Sequence, residues 1–390
     1  MNVEQKIEKM ESCRGKNHDL LLYREWLNEY LPDHKAVSKI QVGGTNGKGS
    51  TCQWLQGLLK NSGFKVGVFT SPHLISHFER IVVNNEMISS VDWERIYDQY
   101  EPLFNEKQMT MFEMDLWMAL AYFLEQEVDV MIMEVGMGGR LDATTALDYS
   151  ATLITNVGMD HQQYLGDCIE QIAYEKSGIF KPGVLALTTE KKENCQRVME
   201  QVASIIMPML GFVSLPYQQD GNKISFEWNE HTYYMNLPYY QVDNLALALE
   251  CLFALGVELK PEVIQKTIDE FNWLGRFTQL KRDYRVILDG AHNVDGIRSL
   301  VNSVKEWKGS IYFSALSDKD VKEMLDILNT LHCPITLVHI DSYRAYDLDS
   351  LHYPVISKEE LIKKINNPSE DMLVCGSLYF MGEILEKVKD

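Results

Sequence analysis

The stretch Ile40-Gln41-Val42-Gly43-Gly44-Thr45-Asn46-Gly47-Lys48-Gly49-Ser50-Thr51 constrains this chain more than any other. Residues 36–42, with Ala36, Val37, Ile40 and Val42, read as a buried strand, and residues 52–60 carry apolar side chains at helical spacing. A glycine turn between a strand and a helix aims backbone N–H groups and a helix N-terminus at an anion, typically phosphate. Lys48 adds a point charge for the outer phosphates. The loop departs twice from the generic G-x-x-x-x-G-K-[S/T] pattern. Val42 replaces the first glycine, and Gly49 separates Lys48 from the hydroxyls of Ser50 and Thr51. On the generic motif alone, a tight turn that only needs glycine's freedom is the competing reading.

Three more strand ends carry polar residues. Residues 128–136 are almost continuously apolar and read as a central parallel strand with Glu134 near its end. An acid there is costly unless it is paired or bound to a metal, and an acid in this place organises the metal of phosphate-loop enzymes. Residues 64–69 read as a strand ending in Thr70-Ser71-Pro72-His73-Leu74, and residues 152–157 as one leading to Gly158-Met159-Asp160-His161. Open α/β sheets place active groups beyond the carboxyl ends of strands. Alone, Ser71 reads as a turn residue and His161 as a structural histidine. Together with Glu134 they form a hydroxyl, carboxylate and imidazole set that can share one or two divalent ions.

The rest of the chain alternates helix and strand. Residues 1–35 read as an amphipathic helical lead-in, 76–88 as a loop or short hairpin turning at Asn84-Asn85, and 111–124 and 169–180 as helices. Residues 223–228 and 231–237 alternate around Asn229-Glu230, a hairpin signal. Helices follow at 242–255 and 263–271. After Trp273-Leu274-Gly275-Arg276-Phe277 and a polar stretch, strands are expected at 285–289, 311–316, 335–340 and 372–375, with helices at 321–328 and 377–388. A chain of 390 residues exceeds one ordinary core. The expected domains are 1–272 and 284–390, joined by a linker at 273–283. The predicted fold class is α/β, with an N-terminal phosphate-loop NTPase-like domain on a mostly parallel sheet and a smaller, Rossmann-like C-terminal domain.

A formal net charge of −19 argues against nucleic acid as the main partner. It also means that an anion site must be built from local cations and metal ions. There is no run of 18 apolar residues and no apolar segment behind the charged N-terminus. The expectation is a cytoplasmic monomer with no membrane partner. Seven scattered cysteines without a C-x-x-C pair read as reduced thiols.

Longer strings add a resemblance. They are Gly44-Thr45-Asn46-Gly47-Lys48-Gly49-Ser50, Thr70-Ser71-Pro72-His73-Leu74, Phe78-Glu79-Arg80-Ile81, Glu134-Val135-Gly136-Met137-Gly138-Gly139-Arg140-Leu141-Asp142-Ala143-Thr144, Glu175-Lys176-Ser177-Gly178, Gly275-Arg276-Phe277, Leu288-Asp289-Gly290-Ala291-His292-Asn293 and Gly376-Ser377-Leu378-Tyr379. In these the chain resembles the folylpolyglutamate synthase/dihydrofolate synthase family, within the Mur ligase superfamily. The resemblance implies an ATP-dependent amide ligase. Such an enzyme adds L-glutamate to dihydropteroate or a folyl-(poly)glutamate through an acyl phosphate and releases ADP and phosphate.

The resemblance also implies roles. Asn46, Gly47, Lys48, Gly49 and Ser50 would hold ATP phosphates, with Asn244, Arg276 and Asp289 as further ATP contacts. Ser71, Glu134 and His161 would bind Mg2+ at two sites, beside a carbamylated Lys176. Lys48, Lys176, His161 and Glu134 make up the implied catalytic set. Thr110, Met111, Phe112 and Glu113, with Leu141, Asp142 and Ala143, match pterin-side contacts, and His292 is placed near the incoming amino acid. Leu274 and Val294 stand where the family has proline, which affects loop stiffness more than chemistry. Two other functions compete. A cell-wall amino-acid ligase would act on a nucleotide-linked sugar, and a nucleotide-binding switch would bind ATP without glutamate-dependent ADP release.

Overall fold

The computed structural model describes residues 1–15, 17–221, 223–340 and 344–388. The chain divides into two compact units, Met1–Met235 with Gln241–Phe271, and Asn236–Tyr240 with Asn272–Asp390.

The first unit is built on eight strands: β1 (Ser38–Gly43), β2 (Val66–Phe69), β3 (Ile81–Val83), β4 (Glu86–Met87), β5 (Val130–Glu134), β6 (Ala151–Ile154), β7 (Leu185–Thr188) and β8 (Met209–Phe212). Their order is β4-β3-β2-β5-β1-β6-β7-β8. From β2 to β8 every neighbouring pair is parallel. The register sets Val42 opposite Glu134 and Gly43 opposite Ile154, so β5, β1 and β6 end level with one another. β3 and β4 form an antiparallel edge joined by Asn84 and Asn85 at φ 49° and 72°. That left-handed pair is what a two-residue hairpin turn requires.

The helices follow from their apolar faces. Helix Met111–Glu125 buries twelve of its fifteen residues, because it is covered on both sides. Its partners include helix Ser90–Lys107, which buries Trp93, Ile96, Tyr97 and Phe104 and was not assigned from sequence. The lead-in is two helices, Val3–Ser12 and Leu20–Tyr30, followed by a 3-10 turn at Pro32–Ala36. Asn2 and Asp19 cap the two helices and fix their separate starts. The helix expected over 169–180 ends at Ser177, before Gly178. The predicted hairpin forms as β10 (Lys223–Trp228) and β11 (His231–Met235), and β9 (Tyr217–Asp220) completes a three-stranded antiparallel sheet.

The second unit carries β12 (Thr278–Leu280), β13 (Val286–Asp289), β14 (Ser310–Phe313), β15 (Ile335–Val338), β16 (Val355–Ile356) and β17 (Met372–Cys375), in the order β12-β13-β17-β14-β15-β16. All pairs are parallel except that of β12 with β13. Helices Val294–Ser303, Val321–Asn329, Lys358–Asn366 and Leu378–Leu385 accompany the sheet. β12, β16 and helix Lys358–Asn366 are too short or too polar to stand out in the sequence. Among the described residues, no helix is long and apolar enough to cross a membrane.

Candidate active site at the strand ends

The glycine loop leaves β1 and enters helix Lys48–Asn61, with Gly47 as its left-handed cap at φ 86°. Two of its glycines are required by close approach. A Cβ on Gly44, at φ 137°, would lie 1.9 Å from Thr155 Oγ1, and one on Gly47 would lie 2.4 Å from Asn244 Oδ1. The loop is clamped from the β6 side. Thr45 N donates to the Asn156 carbonyl at 2.8 Å and Asn46 N to Asn156 Oδ1 at 3.0 Å. Thr155 Oγ1 and Asn156 Nδ2 donate to the Asn46 carbonyl at 2.6 and 3.1 Å. A cradle this well fixed keeps its free amides aimed before any anion arrives. Lys48 Nζ folds back to within 3.4 Å of the Thr45 carbonyl.

The three predicted metal-binding residues stand on either side of this loop. Glu134 ends β5 and is buried, and its Oε2 accepts from Ser71 N at 3.1 Å. Ser71 follows β2, the strand next to β5. Its loop is tied down by Glu79, whose carboxylate accepts from the backbone N–H groups of Leu74, Ile75 and Ser76 at 2.7 to 2.8 Å. His161 follows β6 on the other side of β1, exposed and at φ 53°, with its N–H bonded to Asp160 Oδ1 at 2.9 Å. The ends of β2, β5, β1 and β6, four successive parallel strands, thus carry a hydroxyl, a carboxylate, a glycine cradle and an imidazole. Among the described residues, no three His, Cys, Asp or Glu side chains are grouped to hold a metal. A set that includes a serine hydroxyl is not of that kind.

Lys176 is buried at the end of helix Ile169–Ser177 and donates from Nζ to the Gly44 carbonyl at 2.8 Å. Burial pushes its ammonium down to about 7; the charge of Lys48 acts in the same direction, while Asp160 and Asp142 oppose it. Arg140 N and side chain both hold Glu175, and Gly139 and Gly178 leave room for this contact.

The residues matched to the pterin side divide between lining and scaffold. Phe112 packs its ring 5.5 Å from Phe69, where a Cβ on Gly136 would collide with it at 2.7 Å. Leu141 is exposed, while Met111 and Ala143 are buried. Thr110 and Glu113 form a capping box on helix Met111–Glu125. Glu113 is fully buried and also accepts from His18 N at 2.6 Å. Asp142 turns its carboxylate into its own loop, accepting from Gly136 N, Met137 N and Thr144 N at 3.0 to 3.1 Å. Glu113 and Asp142 therefore hold these segments in shape, and Phe112 and Leu141 supply surface. Burial raises the Asp142 carboxyl, against the pull of those donors.

Asn244 sits over Gly47 in the first unit. Arg276, Asp289 and His292 belong to the second. Asp289 ends β13 and accepts from Ala291 N and Phe277 N, both at 2.8 Å, and from Tyr240 Oη at 3.1 Å. Burial raises its carboxyl and the Arg276 charge lowers it. A Cβ on Gly290 would come within 2.4 Å of the Leu378 side chain and 2.6 Å of Arg276 Nη1. His292 Nδ1 is 2.8 Å from the Gly290 carbonyl, in the turn before helix Val294–Ser303.

Comparison with known proteins matches this arrangement to a family. The model of the Mur ligase middle domain matches residues 42–251. A dihydrofolate synthase/folylpolyglutamate synthase of Buchnera aphidicola is 34% identical over 369 residues, covering 90% of this chain and 87% of that protein. The chain belongs to the dihydrofolate synthase/folylpolyglutamate synthase family. It is a ligase of that family, and its two α/β units have the family fold. The structure of the Yersinia pestis bifunctional enzyme complexed with AMPPNP and Mn ion superposes with a TM-score of 0.89 at 27% identity, covering 99% of this chain and 98% of that one. That of Escherichia coli FolC in complex with DHPP and ADP gives 0.87 at 28%, covering 99% and 97%.

Several residues that shape this candidate site were not expected from sequence. Thr155 and Asn156 clamp the loop, and their signal is a polar pair at the end of an apolar strand. Gln241 contacts Ser50 and Asn244, and its signal is helical i, i+3 spacing to Asn244.

Proposed function

We propose that this ligase uses ATP to add L-glutamate to dihydropteroate or a folyl-polyglutamate, with ATP and a divalent metal held at the ends of β2, β5, β1 and β6. The observation that carries the reading is the placement of Ser71, Glu134, the glycine cradle and His161 on four successive parallel strands. The AMPPNP, Mn and DHPP of the related structures support it.

A carboxylate does not react with an amine at neutral pH, because it offers no leaving group. Transfer of the γ-phosphoryl of ATP to a carboxylate oxygen breaks the bond to ADP and gives an acyl phosphate. The glutamate amine then attacks the acyl carbon, loses a proton, and phosphate departs. In this reading Asn46, the amides of residues 47–50 and the Lys48 ammonium hold and screen the phosphates, the Asn46 amide being already bonded to Asn156. The cradle fits, since Gly44 and Gly47 leave no space for a Cβ and the N-terminus of a fourteen-residue helix opens onto it. Ser71 Oγ and Glu134 are hard oxygen donors that suit Mg2+ or Mn2+, and His161 adds an imidazole. When bound, one or two such ions supply the positive charge that lets triphosphate and carboxylate approach.

Lys176, in this reading, is carbamylated. An amine brought down to about 7 is partly neutral at pH 7, and the neutral form adds CO2. The product replaces a cation with an anion behind the loop. Arg276 and Asp289 contribute ATP contacts, Phe112 and Leu141 a pterin-side surface, and His292 lies near the incoming amino acid. The proposed setting is the cytoplasm, which fits seven free thiols, and the proposed working form is a monomer.

The test is an incubation with ATP, Mg2+, L-glutamate and either dihydropteroate or a reduced folate, with products weighed by mass spectrometry. Addition of one glutamate per ADP is expected. ADP release independent of glutamate, or ligation only onto a nucleotide-linked sugar, would refute the proposal.

A further inference from the structure

Gln241 is 1% exposed at the start of helix Tyr240–Ala254, and its amide makes three hydrogen bonds. Trp54 Nε1 donates to Oε1 at 3.0 Å, Asn244 Nδ2 donates to the same oxygen at 3.1 Å, and Nε2 donates to Ser50 Oγ at 3.3 Å. An indole nitrogen can only donate. It therefore fixes which end of the Gln241 amide is oxygen, and the other end must face Ser50. Two consequences follow for the loop. Ser50 Oγ acts as an acceptor toward Gln241, so its own proton turns elsewhere. Asn244 commits Nδ2 to Gln241, so Oδ1 is the atom held over Gly47. Trp54 is itself locked, with its ring stacked 3.7 Å from that of Phe271 at an interplanar angle of 15°.

We infer that Gln241 is a positioning residue: a Trp54–Gln241 relay sets the direction of the Ser50 hydroxyl and the Asn244 amide around the nucleotide. The inference rests on the reading that the glycine loop holds ATP. Gln241 touches no phosphate in this account and acts only through its two neighbours. Its effect is on nucleotide affinity, because a misdirected donor loses its bond to the ligand without altering the loop backbone.

Two variants separate positioning from packing. Gln241→Glu keeps the volume and both accepting contacts but cannot donate to Ser50, whose proton is then drawn inward. Gln241→Leu removes all three bonds. Both are expected to raise KM for ATP by about tenfold, the effect of one misdirected hydrogen bond, with a smaller change in kcat. Trp54→Phe keeps the stacking but frees the amide, and is expected to raise KM for ATP by about threefold in wild type and not at all in Gln241→Leu. The measurements are steady-state kinetics, thermal midpoints, and AMPPNP binding by calorimetry. KM for ATP within about twofold of wild type in both Gln241 variants, with or without a fall in Tm, overturns the inference. AMPPNP affinity unchanged in Lys48→Ala refutes the loop reading itself, and the inference with it.

Discussion

Lys176 Nζ lies 2.8 Å from the main-chain carbonyl of Gly44, so a buried amine touches the backbone of the phosphate loop. Among the described residues no carboxylate is hydrogen-bonded to that amine, and burial outweighs the charges of Asp160 and Asp142, so its pKa falls to about 7.

The first prediction concerns stability. Between the folded value near 7 and the ordinary 10.5, the unfolded chain keeps a proton on Lys176 that the folded chain has released. Stability therefore rises with pH across that window, by at most about 1.4 kcal/mol per unit from this group, and the cost of the buried cation is fully present below it. Lys176→Met removes the effect. In CO2-free buffer, urea unfolding at stepped pH should show the variant's advantage over wild type shrinking from pH 7 to 10. A constant gap would mean that Lys176 titrates normally.

The second prediction concerns activity. Lys176→Ala should lose at least about tenfold in kcat, as expected when a group acting only in the transition state is removed. Added formate or acetate should restore part of the rate by supplying the missing anion. Full rate in the variant without such addition would rule out a working carbamate.

The third prediction separates glycines by the space around them. Gly44→Ala should abolish nucleotide binding, because its Cβ would clash with Thr155 Oγ1 at 1.9 Å. Gly63→Ala is a control: its φ is 95°, but nothing lies within 4 Å of the added carbon. It should lose roughly 1–2 kcal/mol of stability and retain AMPPNP affinity. Equal affinity in both variants would contradict the role given to the loop.

The fourth prediction concerns the scaffold under the pterin side. Glu113 is fully buried and accepts from the backbone and side chain of both His18 and Thr110. Glu113→Ala leaves those donors unpaired and should cost roughly 3–5 kcal/mol in urea unfolding. A cost below about 1 kcal/mol would mean that water replaces the carboxylate.

What could be read from sequence depended on the range of the interaction. β5 was legible from its apolar continuity, and β1 from the glycine loop that follows it, because these signals are local. Ser71, Glu134 and His161 could be placed at strand ends, but only the pairing of β2, β5, β1 and β6 brings those ends together. Helix Ser90–Lys107 was missed because its apolar residues are spaced among charges and its sequence contains Pro102. Asp142 and Glu113 look like ligand-binding acids in a sequence; only hydrogen-bond partners reveal that Asp142 is used by its own loop and Glu113 by its helix N-terminus and the distant His18. Gln241 has only its i, i+3 spacing to Asn244 as a local signal, since its other partners, Trp54 and Ser50, lie 187 and 191 residues away.

Direct phosphoryl transfer from ATP to a carboxylate at these strand ends can be followed through oxygen. Dihydropteroate labelled with 18O in its carboxylate is incubated with the enzyme, ATP, Mg2+ and L-glutamate, and the released phosphate is weighed. Direct transfer predicts one labelled oxygen in each phosphate, carried over when the acyl phosphate is cleaved by the amine. Unlabelled phosphate formed alongside ligated product would contradict it.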